Sequence, residues 1–472
     1  MAGIERMGRA LGNKQGDFRL MALFLPILVE NVLKNLMGTV NVFILGQYSD
    51  NAVASVGVVS QVINMVVMFF TLISTGATVV ISQNLGAGNK RRAIDAGMVA
   101  IAATTVLGIV LGIFSIANAV WIMRLLQLEE DLVPDAVMYF RIASLGCMAQ
   151  APLAAMSAIC CSNGRAKVSM LTMITMNFLN AVGNGIVIFR PFEIPLYGVQ
   201  GIAIMRVVSE FTALVIMAVQ VYRMHLGMKM KRLLPFPKDI LGDILKIGVP
   251  GGVQSVSYNF SQIVTTAIIT VLGVTAISAK IYVQNINVFV FTAGQSLGQA
   301  AAILIGRYAG SKQWESADNL NRRVFGINIL LNGGLGFIMA LFRYQLVGMF
   351  TKSQEIITLA ASVILVDFLT EIFRGINHTE QFSLQAAGDV KFPMAVGIIS
   401  CWLVSILFSY LLGVRLGLGL LGCWIAFTMD EVFRGCLLIR RWKCRRWIGK
   451  SVIRTCGCAE SMDLIYSKSA QK

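Results

Sequence analysis

LGAGNKRRA, residues 85–93, has a counterpart 224 residues further along the chain in YAGSKQWESA, residues 308–317. Each is a short polar loop carrying glycine that closes a long apolar run. The same offset sets Pro26 on Pro250, Asn35 on Asn259, Ala52 on Ala276, Gly86 on Gly310, Ala93 on Ala317, Gly164 on Gly388 and Lys167 on Lys391, with no gap between the first pair and the last. After a shift of three residues the match continues, with Gly198 and Gly201 on Gly419 and Gly422 and Glu210 on Glu431. A block of about 200 residues has been duplicated, and internal repeats of this kind are a signature of transporter folds.

Composition decides the solvent. Of 472 residues, 56% are hydrophobic and only 14% charged, against about 25% charged in ordinary soluble domains. Apolar runs broken by short polar turns fill nearly the whole length, which leaves no room for a sizeable soluble domain. The first run, about 17–45, is too long for the apolar part of a signal peptide and no small-residue cleavage site follows it, so it is expected to stay as a span. A bilayer needs about 20 apolar residues per helix, which predicts twelve helices near 17–46, 53–81, 94–123, 134–160, 168–190, 198–222, 247–271, 276–305, 319–350, 355–386, 392–414 and 418–440. The expected fold is an all-α membrane protein: twelve transmembrane helices in two pseudo-symmetric six-helix bundles related as parallel repeats. The expected organisation is a tail at 1–16, a bundle at 17–222, a linker at 223–246 with Pro235 and Pro237, a second bundle at 247–440, and a basic tail at 441–472.

The net charge of +16 is placed by topology. Lys and Arg gather in the tail 1–16, in the turns after even-numbered helices and in the C-terminal tail, whereas Glu129, Glu130, Asp131 and Asp135 share a turn on the other side. The positive-inside rule then puts both termini in the cytoplasm. Such charge attracts anionic membrane lipid and does not call for nucleic acid. Because six is even, the two copies enter the membrane in the same direction, and parallel repeats place the substrate path where the halves meet.

Several function classes are excluded by absence. Gly86-Ala-Gly88-Asn-Lys90 lacks the spacing and the hydroxyl of a phosphate loop, so ATP hydrolysis is not expected. Gly417-Leu-Gly419-Leu-Leu-Gly422 matches a dinucleotide fingerprint, but no strand precedes it and its repeat partners are Gly198 and Gly201, which points to a structural role. His225 and His378 are the only histidines. The cysteines within spans read as core, and Cys444, Cys456 and Cys458 have no further ligands, so no metal, no cofactor and no catalytic set is expected. The chain is not read as an enzyme. An ion gradient is left as the driver, and the tail after Trp447 is expected to be disordered.

TEIFRGINHTEQ, residues 370–381, puts charge inside a span. Glu371, Arg374, His378, Gln381 and Gln385 recur at helical spacing on one face. A charged side chain at mid-membrane costs about 2.5–3.5 kcal/mol on insertion scales, so such a face turns inward and commonly lines an ion or substrate route. Helix 8 repeats the pattern with Lys280, Gln284, Asn287, Gln295 and Gln299; helix 1 carries Glu30, Lys34 and Asn41; helix 12 is expected to begin leaving the membrane at Asp430, Glu431 and Arg434. Desolvation disfavours a lone buried carboxylate, which lets it exchange a proton for a cationic substrate. The alternative is structural pairing: Glu371 with Arg374, Glu30 with Lys34, and Asp430 or Glu431 with Arg434 as a gate lock.

QYSDNAVASVGVVSQ after helix 1, ISQNLGAGNKRRA after helix 2 and AAGDVKFPM after helix 10 resemble the multidrug and toxic compound extrusion (MATE) family, over about residues 17 to 445. The segment GLLGCWIAFTMDEVFRG and the Arg-Trp pairs that follow resemble a bacterial branch of it. The resemblance implies a V-shaped pair of six-helix bundles in the bacterial plasma membrane. It implies export of small organic cations or other amphipathic compounds in exchange for protons or sodium, with no cofactor beyond that coupling ion, by a monomer surrounded by membrane lipid. Many members carry acids where this chain has Asn41 on helix 1 and Asn184 on helix 5, four residues after an Asn matching Asn180. Helix 7, where other members place a carboxylate, offers Gln254, Asn259 and Gln262. Coupling is therefore expected at Glu371, aided by Glu380 and tuned by Arg374, with Asn41, Asn180, Asn184, Asn259, Gln284, Asn287, Gln295, Asn377 and His378 lining the cavity. A flippase for lipid-linked saccharides, from the same wider superfamily, is the alternative.

Overall fold

The structure, a computed structural model, describes residues 2–126, 128, 130–189, 197–227 and 236–453. Twelve long helices run in order among them: α1 (Ala2–Gly46), α2 (Asp50–Gly86), α3 (Lys90–Ala117), α4 (Val133–Ser162), α5 (Ala166–Phe189), α6 (Gly198–Arg223), α7 (Lys238–Thr270), α8 (Val274–Gly310), α9 (Trp314–Leu341), α10 (Gln354–Ala387), α11 (Lys391–Ser400, continued by π-helical turns at Cys401–Ile406 and Ser409–Arg415) and α12 (Gly419–Lys443). Ten of them are long and apolar enough to cross a membrane. The other two, α7 and α12, are diluted by Gln254, Asn259 and Gln262 and by Asp430, Glu431 and Arg434, and both contribute to the candidate site below. α1 starts well before residue 17, and parts of the expected 223–246 linker and of the turn holding Glu129 lie outside the described residues.

The chain divides into two compact units, one holding Met1–Ser82 and Asn89–Val249, the other Gln83–Gly88 and Pro250–Lys472. The division in the middle of the chain falls inside α7, at Pro250, where the helix ladder loses a donor. Residues before it are tied to the first unit: Ile244 packs its carbonyl over Gly76 and Gly248 sits over the carbonyl of Leu72, each with no space for a Cβ, while Arg92 holds Asp239 at 3.1 Å and Asp243 at 3.0 Å.

In the first unit α3 packs on α4, α4 and α5 on α6, and α1 on α5. Its core includes Ala52, Val59, Ile63, Ala136, Phe140, Ala143 and Cys147. In the second unit α8, α9 and α12 pack on α10, around Ala276, Val283, Ala360 and Ile364, which are the repeat partners of Ala52, Val59, Ala136 and Phe140. The matched loops also meet as equals. Gly86 lies against the carbonyl of Arg307 and Gly310 against that of Gln83, and neither position has room for a Cβ. Gly417 and Gly419 have φ of +69° and +59°, and Gly422 is pressed on Leu412 and Gly413, so this glycine run turns the chain between α11 and α12.

The expectation of a disordered tail after Trp447 is corrected for its first residues. Trp447 is buried, stacks on Trp442 at 4.3 Å between ring centres and meets Trp314 edge-on at 5.8 Å. Lys450 reaches Asp389 at 2.7 Å and the Val452 amide donates to Gln83 Oε1 at 3.0 Å. Three indole rings bury enough apolar surface to hold a segment that its sequence, polar and basic, does not show to be apolar. Residues 454–472, with Cys456 and Cys458, lie outside the described residues.

Candidate functional site

In the second unit α10 carries Asp367, Glu371, Arg374 and Asn377 on one face, at offsets of four, seven and ten residues. The Arg374 guanidinium donates to Glu371 Oε1 and, through Nε at 3.4 Å, to Glu431 Oε1 on α12. Asn377 donates to the backbone carbonyl of Glu431 at 2.8 Å and to its Oε2. Asp367 accepts from Trp424 Nε1 at 2.8 Å and from Asn287 Nδ2. Asp430 accepts from Ser400 and from Arg434, its i+4 neighbour. Four carboxyls thus face two guanidiniums, and all four are buried.

These groups surround a cavity of about 190 Å³ whose wall includes Tyr258, Gln284, Asn287, Asp367, Arg374 and Glu431. At about 30 Å³ per water it holds an ion with a few waters, and it is below the roughly 300 Å³ at which drug-sized pockets begin. Glu371 does not form the wall. It lies one ion pair behind it, 1% exposed, with Oε2 buried and without a partner.

Asp430, Glu431 and Arg434, expected where α12 begins to leave the membrane, are all buried within the protein, and the helix runs on to Lys443. Glu431 is held by Arg374 and Asn377, because its side chain faces α10. Glu380 does not join Glu371. Nine residues separate them, about 13 Å along a helix, and Glu380 faces α9, where it accepts from Asn321 Nδ2 at 3.0 Å while Ser383 donates to Asn321 Oδ1 at 2.6 Å.

The remaining expected lining residues scatter. His378 packs edge-on against Phe291 at 4.9 Å and Gln381 bonds Gln254 at 3.2 Å. Asn259 is exposed and donates to the Ser255 carbonyl at 2.9 Å, and Gln295 is half-buried. In the first unit Asn184 Nδ2 donates to Asn41 Oδ1 at 2.9 Å and to Asn180 Oδ1 at 3.1 Å, so the three amides form one cluster. Glu30 binds Lys34 at 2.9 Å and accepts from Ser169 at 2.8 Å, a satisfied pair.

Asp367 and the partnership of Glu431 with Arg374 were missed by sequence reasoning, although the repeat carried a signal for both. Ile63, Ala143, Cys147 and Gln150 of the first copy correspond to Asn287, Asp367, Glu371 and Arg374 of the second. Apolar or neutral positions in one copy have become the polar cluster of the other. The repeat partner of Glu431 is also buried: Glu210 accepts from Arg206 Nε at 3.0 Å and from Gln150 Nε2 at 2.6 Å, over a glycine, Gly146, that has no room for a Cβ. One carboxyl meets one guanidinium there, and the charge is balanced.

The MatE family profile matches residues 26–186 and 250–411, once in each repeat. The chain belongs to the MATE family. It is 37% identical over 436 residues, covering 92% of this chain and 96% of the relative, to "Uncharacterized transporter YisQ" of Bacillus subtilis. It is 26% identical over 434 residues to "Probable multidrug resistance protein NorM" of Thermotoga maritima, covering 92% of this chain and 94% of that one. Among solved structures, a MATE crystal structure in the bent conformation superposes with a TM-score of 0.84 over 97% of both chains at 17% identity, which shows a shared fold. This MATE protein is therefore a multi-pass membrane transporter. Within the MATE fold it carries an amide cluster at Asn41, Asn180 and Asn184 and a carboxyl-rich cavity on α10 and α12.

Proposed function

We propose that this MATE transporter exports small organic cations or other amphipathic compounds by antiport, driven by protons or sodium that bind in the α10–α12 cavity. The observation carrying the proposal is the excess of four buried carboxyls over two guanidiniums around a cavity of ion size. Uncompensated negative charge is costly at membrane depth, so it recruits a cation or protons and tends to mark an ion route. Asp367 at the wall and Glu371 behind Arg374 are the coupling carboxyls, and Glu431 holds Arg374 between them. The amide cluster of the first unit can coordinate a cation but cannot be charged, so coupling falls to the second unit. The same acid excess disfavours flipping of lipid-linked saccharides, whose pyrophosphate calls for a basic pocket. The protein is read as lying in the bacterial plasma membrane with both termini in the cytoplasm, from its distribution of Lys and Arg.

Efflux of a cationic dye from proteoliposomes under an imposed proton or sodium gradient tests the proposal. Asp367→Asn and Glu371→Gln should each lower gradient-driven export at least tenfold per folded, reconstituted molecule. Export equal to the parent by both variants, at every pH and sodium concentration, sinks the assignment.

A further inference from the structure

Away from the ion cavity, α10 and α12 form an open apolar groove of about 730 Å³ on the surface of the second unit. Leu365 and Leu369 form one wall and Ile425, Met429, Val432 and Cys436 the other. Leu365 and Leu369 are 47% and 50% exposed in the whole chain. From Ile425 to Cys436 the groove runs about 16 Å at the α-helical rise, close to the depth of one leaflet of a hydrocarbon core about 30 Å thick.

The same stripe of α12 then becomes basic. Arg440 and Lys443 follow Cys436 at i+4 and i+7 and so continue its face, about 6 and 10 Å further along the axis. That is the depth of the headgroups, which add roughly 5–8 Å to each side of the core. Arg445 and Arg446 stay beside them because the chain folds back at once: Arg445 has φ of +52°, its amide bonds the Trp442 carbonyl at 2.9 Å, and Trp447 stacks on Trp442. Asp389 engages Arg441 and Lys450, and Asp318 engages Arg322 and the Trp442 indole. Arg440, Lys443, Arg445 and Arg446 are exposed and make no ion pair within 4 Å among the described residues, although Lys443 lies near enough to Glu380 to feel its charge.

We propose that this groove is a binding site for one anionic phospholipid, its acyl chain along α10 and α12 and its phosphate on the four exposed cations. A juxtamembrane cluster of this sign draws anionic headgroups. A second copy of the chain docked by the same face would set two such clusters side by side, and a cationic transport substrate would meet the same repulsion. The proposal rests on reading the end of α12 as lying at the cytoplasmic headgroups, and its test requires neither a gradient nor a substrate.

The test is native mass spectrometry of the full-length protein in detergent, titrated with phosphatidylglycerol or with phosphatidylcholine of the same chains. The parent should retain the anionic lipid about tenfold better, after allowance for screening. The variant R440Q/K443Q/R445Q/R446Q should lose that preference. Leu369→Trp, which fills the groove from an exposed position, should lower retention with all four charges present, and the melting temperature in phosphatidylcholine reports that both variants remain folded. Equal retention of the two lipids by the parent overturns the site, as does a preference that survives either variant. So does oxidative cross-linking of Cys436 between two copies in lipid.

Discussion

Removing Arg374 should do more damage than removing the acid it neutralises. The guanidinium is shared by Glu371 and Glu431. Arg374→Gln leaves Glu371 buried with no cation, while Glu431 keeps the Asn377 amide and the nearby charge of Arg434, and breaking a buried pair from one side costs about 3–5 kcal/mol. Glu371→Gln leaves Arg374 still facing Glu431, and only one hydrogen bond to a charged group is lost, about 1.5–3 kcal/mol. The double variant removes one charge of each sign, so it should be more stable than Arg374→Gln alone. Thermal unfolding of the parent, both single variants and the double in one detergent gives the full cycle. The expected order of midpoints is parent, Glu371→Gln, the double variant, then Arg374→Gln. The deficit of the last should shrink in acid, where protonation discharges the stranded carboxyl. If Arg374→Gln melts with Glu371→Gln, or if the double variant is the least stable, the shared-guanidinium account is wrong.

Gly86→Val and Gly310→Val should each destabilise by about 1–3 kcal/mol, because the new side chain meets a backbone carbonyl that cannot move aside; yield and melting temperature check this, and Gly326→Val, in open space at an ordinary helical φ, serves as the control. Glu210→Gln should lower stability through the stranded Arg206, by about 3–5 kcal/mol at most, without changing the sodium or proton dependence of export measured in proteoliposomes. Trp447→Ala should cost up to about 3–5 kcal/mol and speed cleavage at Arg445, Arg446 and Lys450 by trypsin, followed as the rate of tail release. Unchanged proteolysis would show that the indole cluster does not hold this segment.

The offset of 224 residues, the twelve spans and the need for the charges of α10 to face inward follow from composition and period alone. A bilayer admits only helices or closed barrels, and hydrophobic length counts the helices without reference to neighbours. What a helical period cannot say is which neighbour a face will meet. Glu431 has a basic residue three positions away in Arg434, yet it lies against Arg374 on another helix. Glu380 shares a helix with Glu371, yet a difference of nine residues turns it toward α9 and Asn321. Asp367 stands at i−4 from Glu371, where the pattern that singled out Glu371 also applied, and the comparison of repeats would have exposed it as the charged replacement of Ala143. The hold of Trp447 on Trp442 and Trp314 joins residues over 130 positions apart, through packing that leaves no local trace. Local sequence therefore determined the number and duplication of the helices, because each span answers separately to the membrane; tertiary structure decided the partners of every buried charge, because pairing depends on how neighbouring helices are rotated and set at depth.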